Sequence, residues 1–300
     1  MGSRLYYRTL LESLYCEIMI QSSIRQFALI LSALLLTITA WSQTKWDRSQ
    51  ELGIAIGSSY YLGDINPRQH FGGVFHPGFG LLYRNSFTKR VSVKASIQQI
   101  RFEAHDADSD DPWQVNRNLH FRNTIIEGSI QAELNFFPYQ IGNPSFPFTP
   151  YFFGGLSIYK MTPSAEFNGT WYELQPLGTE GQGTSEGEEK YSINGIAIPF
   201  GVGIKANIIG SLAISLEWGM RKTWTDYLDD VSTTYANPAV IEEENGELAA
   251  LLADRSFEQE GIGDSNTGVQ RGDASRNDWY NVFQLMITFR IGKKPNTCWK

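Results

Sequence analysis

Large apolar residues alternate with small or polar ones along two consecutive stretches within residues 192–222. The first stretch covers 196–205 and the second 212–221, with a short connection at 207–211. A period of two residues is typical of β-strands that have two unlike faces. Each stretch has about ten residues, the length with which a tilted strand crosses an outer membrane. The pattern therefore predicts a transmembrane β-hairpin.

Six further stretches alternate in the same way, which predicts an all-β fold, an eight-stranded antiparallel up-and-down transmembrane β-barrel. These strands are expected at 51–61, 78–84, 91–98, 126–136, 151–160 and 279–291. The connections between strands alternate broadly between long and short, as in barrels with external loops and short periplasmic turns. Both mature termini are therefore expected in the periplasm. Because a lumen of this size is filled by side chains, no solute pore is expected.

The predicted lumen contains charges of both signs, which indicates a charge-paired interior. The residues expected there are Lys94, Glu127, Glu133, Lys205, Glu217, Arg221 and Arg290. Aromatic residues gather near the predicted strand ends and are expected to form the two interfacial girdles. They are Tyr60, Tyr61, Phe136, Phe137, Tyr151, Phe152, Trp224, Trp279 and Tyr280.

The N-terminal region has the features of a secretory signal. An apolar run at 27–40 follows Arg25 and precedes small residues, which predicts a signal peptide cleaved after about Ser42. A single anchoring helix is the alternative. Residues 1–18 are unusual upstream of a signal, and Met19 is the better initiator. The expected domains are a signal peptide with its extension (1–42), an outer-membrane barrel (43–292) and a periplasmic tail (293–300).

Composition narrows the class of protein. The body of the chain has no apolar run of about 18 residues, which argues against a helical membrane protein. The net charge of −7 argues against a nucleic-acid surface. Loss of the signal would remove Cys16 and leave Cys298, which excludes an internal disulfide in the mature chain. The remaining thiol either pairs with another protein or is simply tolerated.

The histidines do not suggest catalysis. His70, His76, His105 and His120 all fall in predicted external loops, away from any strand. A barrel hydrolase needs a serine or an equivalent group that is activated by a histidine and oriented by a carboxylate. None of these histidines lies near a Gly-x-Ser-x-Gly pattern. We therefore expect no catalytic residues and no cofactor.

Three aspartates in the third predicted connection resemble the start of a calcium loop. They are Asp106, Asp108 and Asp110. The bidentate glutamate expected at the twelfth position is replaced by Arg117, and the glycine at the sixth is missing. A solvated acidic loop without metal is therefore expected.

The long loops are too rich in charged and aromatic residues to be simple connections, notably at 174–183, 225–235 and 271–280. In one interpretation they fold over the barrel mouth, held by Arg271, Arg276 and the aspartates. In the other they form a docking face, since binding sites on rigid barrels are built from loops. The two are compatible. The candidate partner-binding residues are Glu180, Gln182, Asp226, Tyr227, Asp229, Asp230, Trp279 and Cys298.

Several of these segments resemble the PorG family of outer-membrane proteins in the type IX secretion system of Bacteroidetes. They are 53–57 with 61–64, 174–183, 196–205, 225–235 and 277–280, within a resemblance that covers about 50–291. The resemblance implies a non-enzymatic barrel of the protein secretion and gliding machinery, which anchors or assembles a periplasmic ring and the translocon. The implied partners are outer-membrane lipid, a ring lipoprotein and other subunits of the system. Cys298 would then provide a covalent link to a ring subunit.

Two sets of residues depart from this family, namely 1–18 and an acidic insert near 242–260. Two other functions also stay open. One is a small lipid-modifying barrel enzyme, in which a histidine and a hydroxyl group would meet at the barrel wall or mouth. The other is a structural barrel that tethers or adheres through its loops.

Overall fold

The computed structural model describes residues 48–67, 76–257 and 265–292. The strands in these ranges are β1 (Ser49–Leu62), β2 (Pro77–Ser86), β3 (Val91–His105), β4 (His120–Asn135), β5 (Phe148–Phe167), β6 (Thr170–Glu173), β7 (Asn194–Ile209), β8 (Leu212–Thr223) and β9 (Trp279–Ile291). The helices are α1 (Pro112–Arg117), α2 (Pro238–Asn245) and α3 (Glu247–Ala253), with a 3-10 turn at Asp106–Asp108. The predicted signal peptide, His70, the tail at 293–300 and Cys298 lie outside the described residues.

Eight of the strands form a closed antiparallel barrel. Each pairs with its neighbour in the order β1, β2, β3, β4, β5, β7, β8, β9, and β9 pairs back with β1. This last pairing runs from Gln50 opposite Ile291 to Leu62 opposite Trp279. The short strand β6 adds to the outer part of β5. The predicted eight-stranded antiparallel barrel is confirmed.

Three barrel strands are longer than their sequence pattern predicts. β3 and β4 remain paired as far as His105 and His120, and β5 continues to Phe167. The predicted loops at 103–123 and 162–190 therefore contain strand ends and β6. The expectation that no histidine lies on a strand was wrong for His105 and His120. These strand ends persist because their inward residues, such as Phe102 and Phe121, pack in a core above the barrel.

The outer wall of the barrel carries a continuous belt of exposed apolar side chains. Leu156 and Ile158 are each 69% exposed. The other exposed apolar residues of the barrel strands include Leu52, Ile54, Phe79, Leu81, Ile97, Ile126, Ile130, Leu134, Phe152, Ile196, Phe200, Val202, Ile204, Leu216, Phe283, Leu285 and Phe289. An exposed apolar surface of this extent indicates an apolar surrounding rather than water.

The lumen is packed with ion pairs. Four glutamates and four basic residues are buried in it, namely Glu51, Glu127, Glu133 and Glu217 with Arg84, Lys94, Lys205 and Arg221. Glu133 is central because it accepts from Lys205 Nζ at 2.7 Å and from Arg84 Nε at 2.9 Å. Lys94 pairs with Glu217 at 2.5 Å, and Arg221 lies 3.5 Å from Glu127. The expected charge-paired interior is thus present, with Glu51 and Arg84 added to the residues named from the sequence. Arg290 differs, because it is half-buried and donates to the Ile141 carbonyl at 3.1 Å.

The end of the barrel with the short connections, here called the turn end, is also filled. Tyr139 and Ile141 from the connection after β4 are buried there with Ala213. Asn207 accepts from the Tyr139 hydroxyl at 3.0 Å and donates to the Gln140 carbonyl at 2.9 Å. The connection after β4 therefore packs across the turn end of the barrel.

The aromatic girdles differ from the prediction. Phe136, Phe137, Phe152 and Trp224 are exposed on the outer wall, as expected for a girdle. Tyr60, Tyr61, Tyr151 and Tyr280 are buried instead. Tyr61, Tyr151 and Tyr280 occupy the inward positions of their strands, where their hydroxyl groups bind buried carboxyl groups.

Candidate functional site

The long connections fold into one compact structure over the other end of the barrel, which we call the cap. The cap comprises the described residues of 63–76, 106–119, 168–193 and 224–278. Its apolar core includes Ile65, Leu119, Leu174, Leu228, Val231 and Leu252, together with the inward residues Phe102 and Phe121. The rings of Phe102 and Phe121 lie 6.0 Å apart in an edge-on arrangement. The loops therefore pack on one another, as the first interpretation of the sequence expects.

Arg271 ties three parts of the cap together. Its Nη1 donates to Glu180 Oε1 at 2.9 Å and to the Asp230 carbonyl at 2.7 Å, and its Nε donates to the Ala253 carbonyl at 3.1 Å. Glu180 also accepts from the Ser232 and Thr233 amides. The expected role of Arg271 is thus observed. Arg276 differs, because its side chain is 83% exposed and reaches only Asp273.

Asp230 is held by hydroxyl groups. Its carboxyl accepts from the Tyr191 hydroxyl at 2.5 Å and from the Thr179 hydroxyl. The Tyr191 ring stacks on Tyr227, with centroids 4.5 Å apart. Burial raises the pKa of Asp230 to about 6, although Arg271 nearby lowers it in part. The two predicted loop segments 174–183 and 225–235 therefore meet around this carboxyl.

Asp106 is not part of a solvated loop. Its two carboxyl oxygens accept from Arg117 Nε and Nη2, each at 2.7 Å, and the side chain is fully buried. Burial raises the pKa of Asp106, and its hydrogen bonds with Arg117 oppose that shift. Arg117, which breaks the calcium-loop pattern, is thus the partner of the first aspartate. Asp108 and Asp110 are exposed, as expected.

Tyr61 connects two more buried carboxyl groups. Its Oη lies 2.5 Å from Asp229 Oδ2 and 2.8 Å from Asp278 Oδ1. Burial first, and then neighbouring acids, raise the pKa of both aspartates well above the ordinary value. Asp226, close by, has its pKa raised to about 8, again mainly by burial. This part of the cap therefore favours protonated carboxyl groups.

The structure brings six of the candidate partner-binding residues together. Glu180, Gln182, Asp226, Asp229 and Asp230 are buried, and Tyr227 is half-buried. Trp279 lies apart from them, at the top of the outer wall between Lys222 and Phe200. The six residues hold the cap together internally, and their partner-binding role stays a prediction.

Sequence reasoning missed three residues that organise this site, namely Tyr61, Arg117 and Asp278. Tyr61 was assigned to a girdle, and Arg117 was considered only as a missing calcium ligand. Asp278 immediately precedes β9, so its position at the rim could be read from the strand boundary. Its partners could not, because Tyr61 is 217 residues away.

The histidines make ordinary polar contacts. His76 Nδ1 lies 3.4 Å from Glu103 and His105 Nε2 lies 3.9 Å from the same residue. His120 lies at the start of β4, where Arg255 Nη1 is 2.8 Å from its Nδ1. Within the described residues, His, Cys, Asp and Glu side chains form no group of three or more that could hold a metal ion. No helix in the same ranges is long and apolar enough to cross a membrane.

A groove of about 1390 Å³ opens at the side of the cap. Its lining includes the carboxylates of Asp64, Glu103 and Asp108, together with Trp113, Arg276 and Trp279. Acidic and aromatic side chains thus share this surface.

Several solved outer-membrane barrels have a similar but distant backbone. Neisserial surface protein A is 8% identical, with a TM-score of 0.37, and the match covers 82% of this chain and 100% of that one. Ail of Yersinia pestis is 11% identical, with a TM-score of 0.34 and coverage of 81% and 97%. The N-terminal β-barrel domain of OprF from Pseudomonas aeruginosa is 11% identical, with a TM-score of 0.32 and coverage of 81% and 100%. The fold class itself rests on the closed ring of strand pairings.

No curated protein matches the chain. A family model does match it over residues 27–245, which include the barrel strands β1 to β8 and much of the cap. The chain therefore belongs to the family described as a domain of unknown function, DUF6089.

Proposed function

We propose that this protein is an integral outer-membrane barrel that serves, without enzymatic activity, as an anchoring or assembly component of the type IX secretion and gliding machinery. The observation that supports membrane insertion is the belt. Leu156 and Ile158 in the middle of β5 are each 69% exposed, while charged and polar residues fill the lumen on the other side of the wall. Exposure of such an apolar wall to water would be unfavourable, whereas its contact with lipid is favourable.

The proposed orientation has the cap outside the cell and the turn end in the periplasm. It is supported by the asymmetry of the connections, because outer-membrane barrels carry long loops outside and short turns inside. Both ends of the barrel lie at the turn end, since β1 begins and β9 finishes there. The tail at 293–300, with Cys298, would then be available to a periplasmic ring lipoprotein.

The secretion role is supported by the resemblance to the PorG family. Three of the resembling segments, 174–183, 225–235 and 277–280, are far apart in sequence and meet in the cap around Glu180, Asp230 and Asp278. The folded shape of the cap, rather than a set of exposed side chains, is what these segments would supply to a partner. Glu180, Gln182, Asp226, Tyr227, Asp229 and Asp230 would act by holding that shape, and Trp279 by contacts at the outer wall.

Deletion of the gene in its source bacterium tests this role. We expect that proteins normally secreted by the type IX system will accumulate in the periplasm, and that the wild-type chain will restore their export. Normal secretion in the deletion strain would contradict the secretion role but not the barrel fold. In that case, altered lipid A in the deletion strain would favour a lipid-modifying enzyme, and reduced adhesion would favour a tether.

The Cys298 link has its own test. Membranes that contain the wild-type chain should show a high-mass species on non-reducing gels, and Cys298→Ser should remove it. The same species in the variant would contradict the link. Secretion should be measured alongside, because an unaffected Cys298→Ser strain would separate the thiol from the export role.

A further inference from the structure

Tyr61 makes hydrogen bonds with two buried carboxyl groups, those of Asp229 and Asp278, although its hydroxyl has only one proton to donate. Tyr61 Oη is within hydrogen-bonding distance of both carboxyl groups, at 2.5 Å and 2.8 Å. A phenol has a single proton to donate. The other two carboxyl oxygens are occupied, because Asp229 Oδ1 accepts from the Val231 amide and Asp278 Oδ2 from the Leu228 amide. The second contact with Tyr61 therefore requires a proton on one of the carboxyl groups.

The distances and the neighbouring charges assign this proton to Asp278. A separation of 2.5 Å is typical of a hydroxyl that donates to a charged carboxylate, and 2.8 Å of a neutral pair. Asp64 disfavours a negative charge on Asp229, but the Tyr61 hydroxyl, the Val231 amide and Arg117 all favour that charge. Asp278 instead faces Asp229 and Asp226, which both disfavour its charge. Tyr61 thus donates to Asp229, and Asp278 donates to Tyr61.

Charged or titratable groups surround the cluster on every side. They are Asp64 after β1, Arg117 on α1, Tyr159 on β5, Tyr191 before β7, Asp226 in the loop after β8, and Arg271, which lies near Arg117. Only two of the six are cationic. Ionisation of the whole cluster would therefore leave buried negative charge without enough positive charge to pair with it.

We propose that the cap is a proton-operated latch, in which Asp278 holds a proton through Tyr61 and Asp229 while the cap is closed and releases it when the described part of the loop 224–278 opens. The cluster joins this loop to the first and last strands of the barrel, since Tyr61 ends β1 and Asp278 precedes β9. Opening admits water, and the aspartate then ionises as it would in an unfolded chain, with a pKa of about 3.9. The closed cap binds one more proton than the open cap.

The sign of the pH dependence follows from this difference in bound protons. The stabilisation of the closed cap is complete below about pH 3.9 and is lost as the pH rises towards the higher pKa of the closed state. Over that window, the equilibrium constant for opening rises about tenfold per pH unit for each proton released. The latch therefore opens with increasing pH.

The test is limited proteolysis of the full chain in lipid vesicles between about pH 5 and about pH 8. The rate of cleavage within 224–278 is divided by the rate for the heat-denatured chain at the same pH, so that it reports the open population. We expect the logarithm of this ratio to rise with pH, and Asp278→Asn to reduce the slope by about one. An asparagine amide can donate to Tyr61 without a titratable proton.

Two further variants separate a shared proton from a general loss of stability. Asp229→Asn should reduce the slope by the same amount, and the double variant should reduce it no further, because the pair holds one proton in total. Asp110→Asn removes an exposed carboxylate of the cap and should leave the slope unchanged. A wild-type slope of zero, or an unchanged slope in both single variants, would overturn the proposal.

A spectroscopic measurement covers the case in which a variant does not fold. The wild-type chain at neutral pH should show the infrared C=O stretch of a protonated carboxylic acid, and this band should weaken as the pH is raised. Asp278→Asn or Asp229→Asn, whichever folds, should lack the corresponding intensity. Retention of the full band in the folded variant would contradict the shared proton.

Discussion

The lumen and the cap both bury charged side chains, but they neutralise them in different ways. In the lumen, the four glutamates face four basic residues, and Glu133 contacts both Arg84 and Lys205. In the cap, the buried acids outnumber the buried basic residues: Asp106, Glu180, Asp226, Asp229, Asp230 and Asp278 face Arg117 and Arg271. The lumen is therefore neutral through ion pairs, and the cap is neutral in part through protons. The two regions should therefore respond differently to substitution and to pH.

The largest expected effect is in the lumen. Glu133→Ala removes the acceptor for Lys205 and for Arg84, and it leaves buried positive charge without compensation. The free energy of unfolding should fall by about 3–5 kcal/mol, measured by urea unfolding in lipid vesicles. Glu243→Ala, at an exposed position on α2, is the matched control and should change little. A loss below about 1 kcal/mol would show that the ion pairs do not stabilise the lumen.

The next effect should be confined to the cap. Arg271→Met leaves Glu180 buried without its cation, although three hydrogen bonds from the Ser232 and Thr233 groups remain. We expect the free energy of cap opening to fall by about 3 kcal/mol, which raises the equilibrium constant for opening roughly a hundredfold. The readout is cleavage within 224–278. Urea unfolding of the barrel should be unchanged, and the exposed Arg276→Met should alter neither property. Equal destabilisation of barrel and cap would show that the two are not separate.

A smaller effect is expected in the barrel wall, where β4 and β5 approach each other closely. A Cβ atom at Gly155 would lie 2.1 Å from the Ile130 carbonyl oxygen, which belongs to the backbone of β4 and cannot move freely. Gly155→Ala should therefore cost about 1–3 kcal/mol of barrel stability. Gly128→Ala is the control on the paired strand, because its Cβ would meet its nearest atom at 3.8 Å. Similar melting temperatures for the two variants would argue against the close contact.

The smallest effect is a change of slope with pH. Burial raises the pKa of Asp226 to about 8, and Asp64 and Glu180 add to this shift. The stabilisation of the closed cap by protonated Asp226 is complete below about pH 3.9 and is lost as the pH rises through about 8. Asp226→Asn should therefore lower the pH dependence of cap opening by up to one proton, and Asp108→Asn should not. If both variants behave like the wild type, Asp226 is not a second protonated group of the cap.

The barrel could be predicted from the sequence where alternation is uninterrupted. β8 and β9 follow the predicted ranges closely, because most of their outward positions are apolar and the inward positions of β8 are small, polar or charged. Successive residues of a strand face opposite sides of the barrel wall. In β5, Phe152 is outward and the adjacent Tyr151 is inward, so the alternation itself separates girdle residues from lumen residues. The girdle prediction grouped both kinds by their position along the chain and missed this.

The cap could be predicted only in outline. The charge of 225–235 and 271–280 indicated that the loops hold one another, and Arg271 does so. The particular pairs could not be read from periodicity, since Tyr61 and Asp229 are separated by 168 residues and come from a strand and a loop. Short helices such as α1 were missed because six residues contain too few turns to show a helical period.

The pairing of β9 with β1 has a consequence for how the protein reaches its native state. These strands lie at opposite ends of the described chain, so their contacts are among the most distant in sequence. Until β9 arrives, β1 and β8 each present an unpaired edge that another chain can add to. Contacts between residues so distant in sequence form slowly, so both edges stay open to other chains until β9 closes the ring.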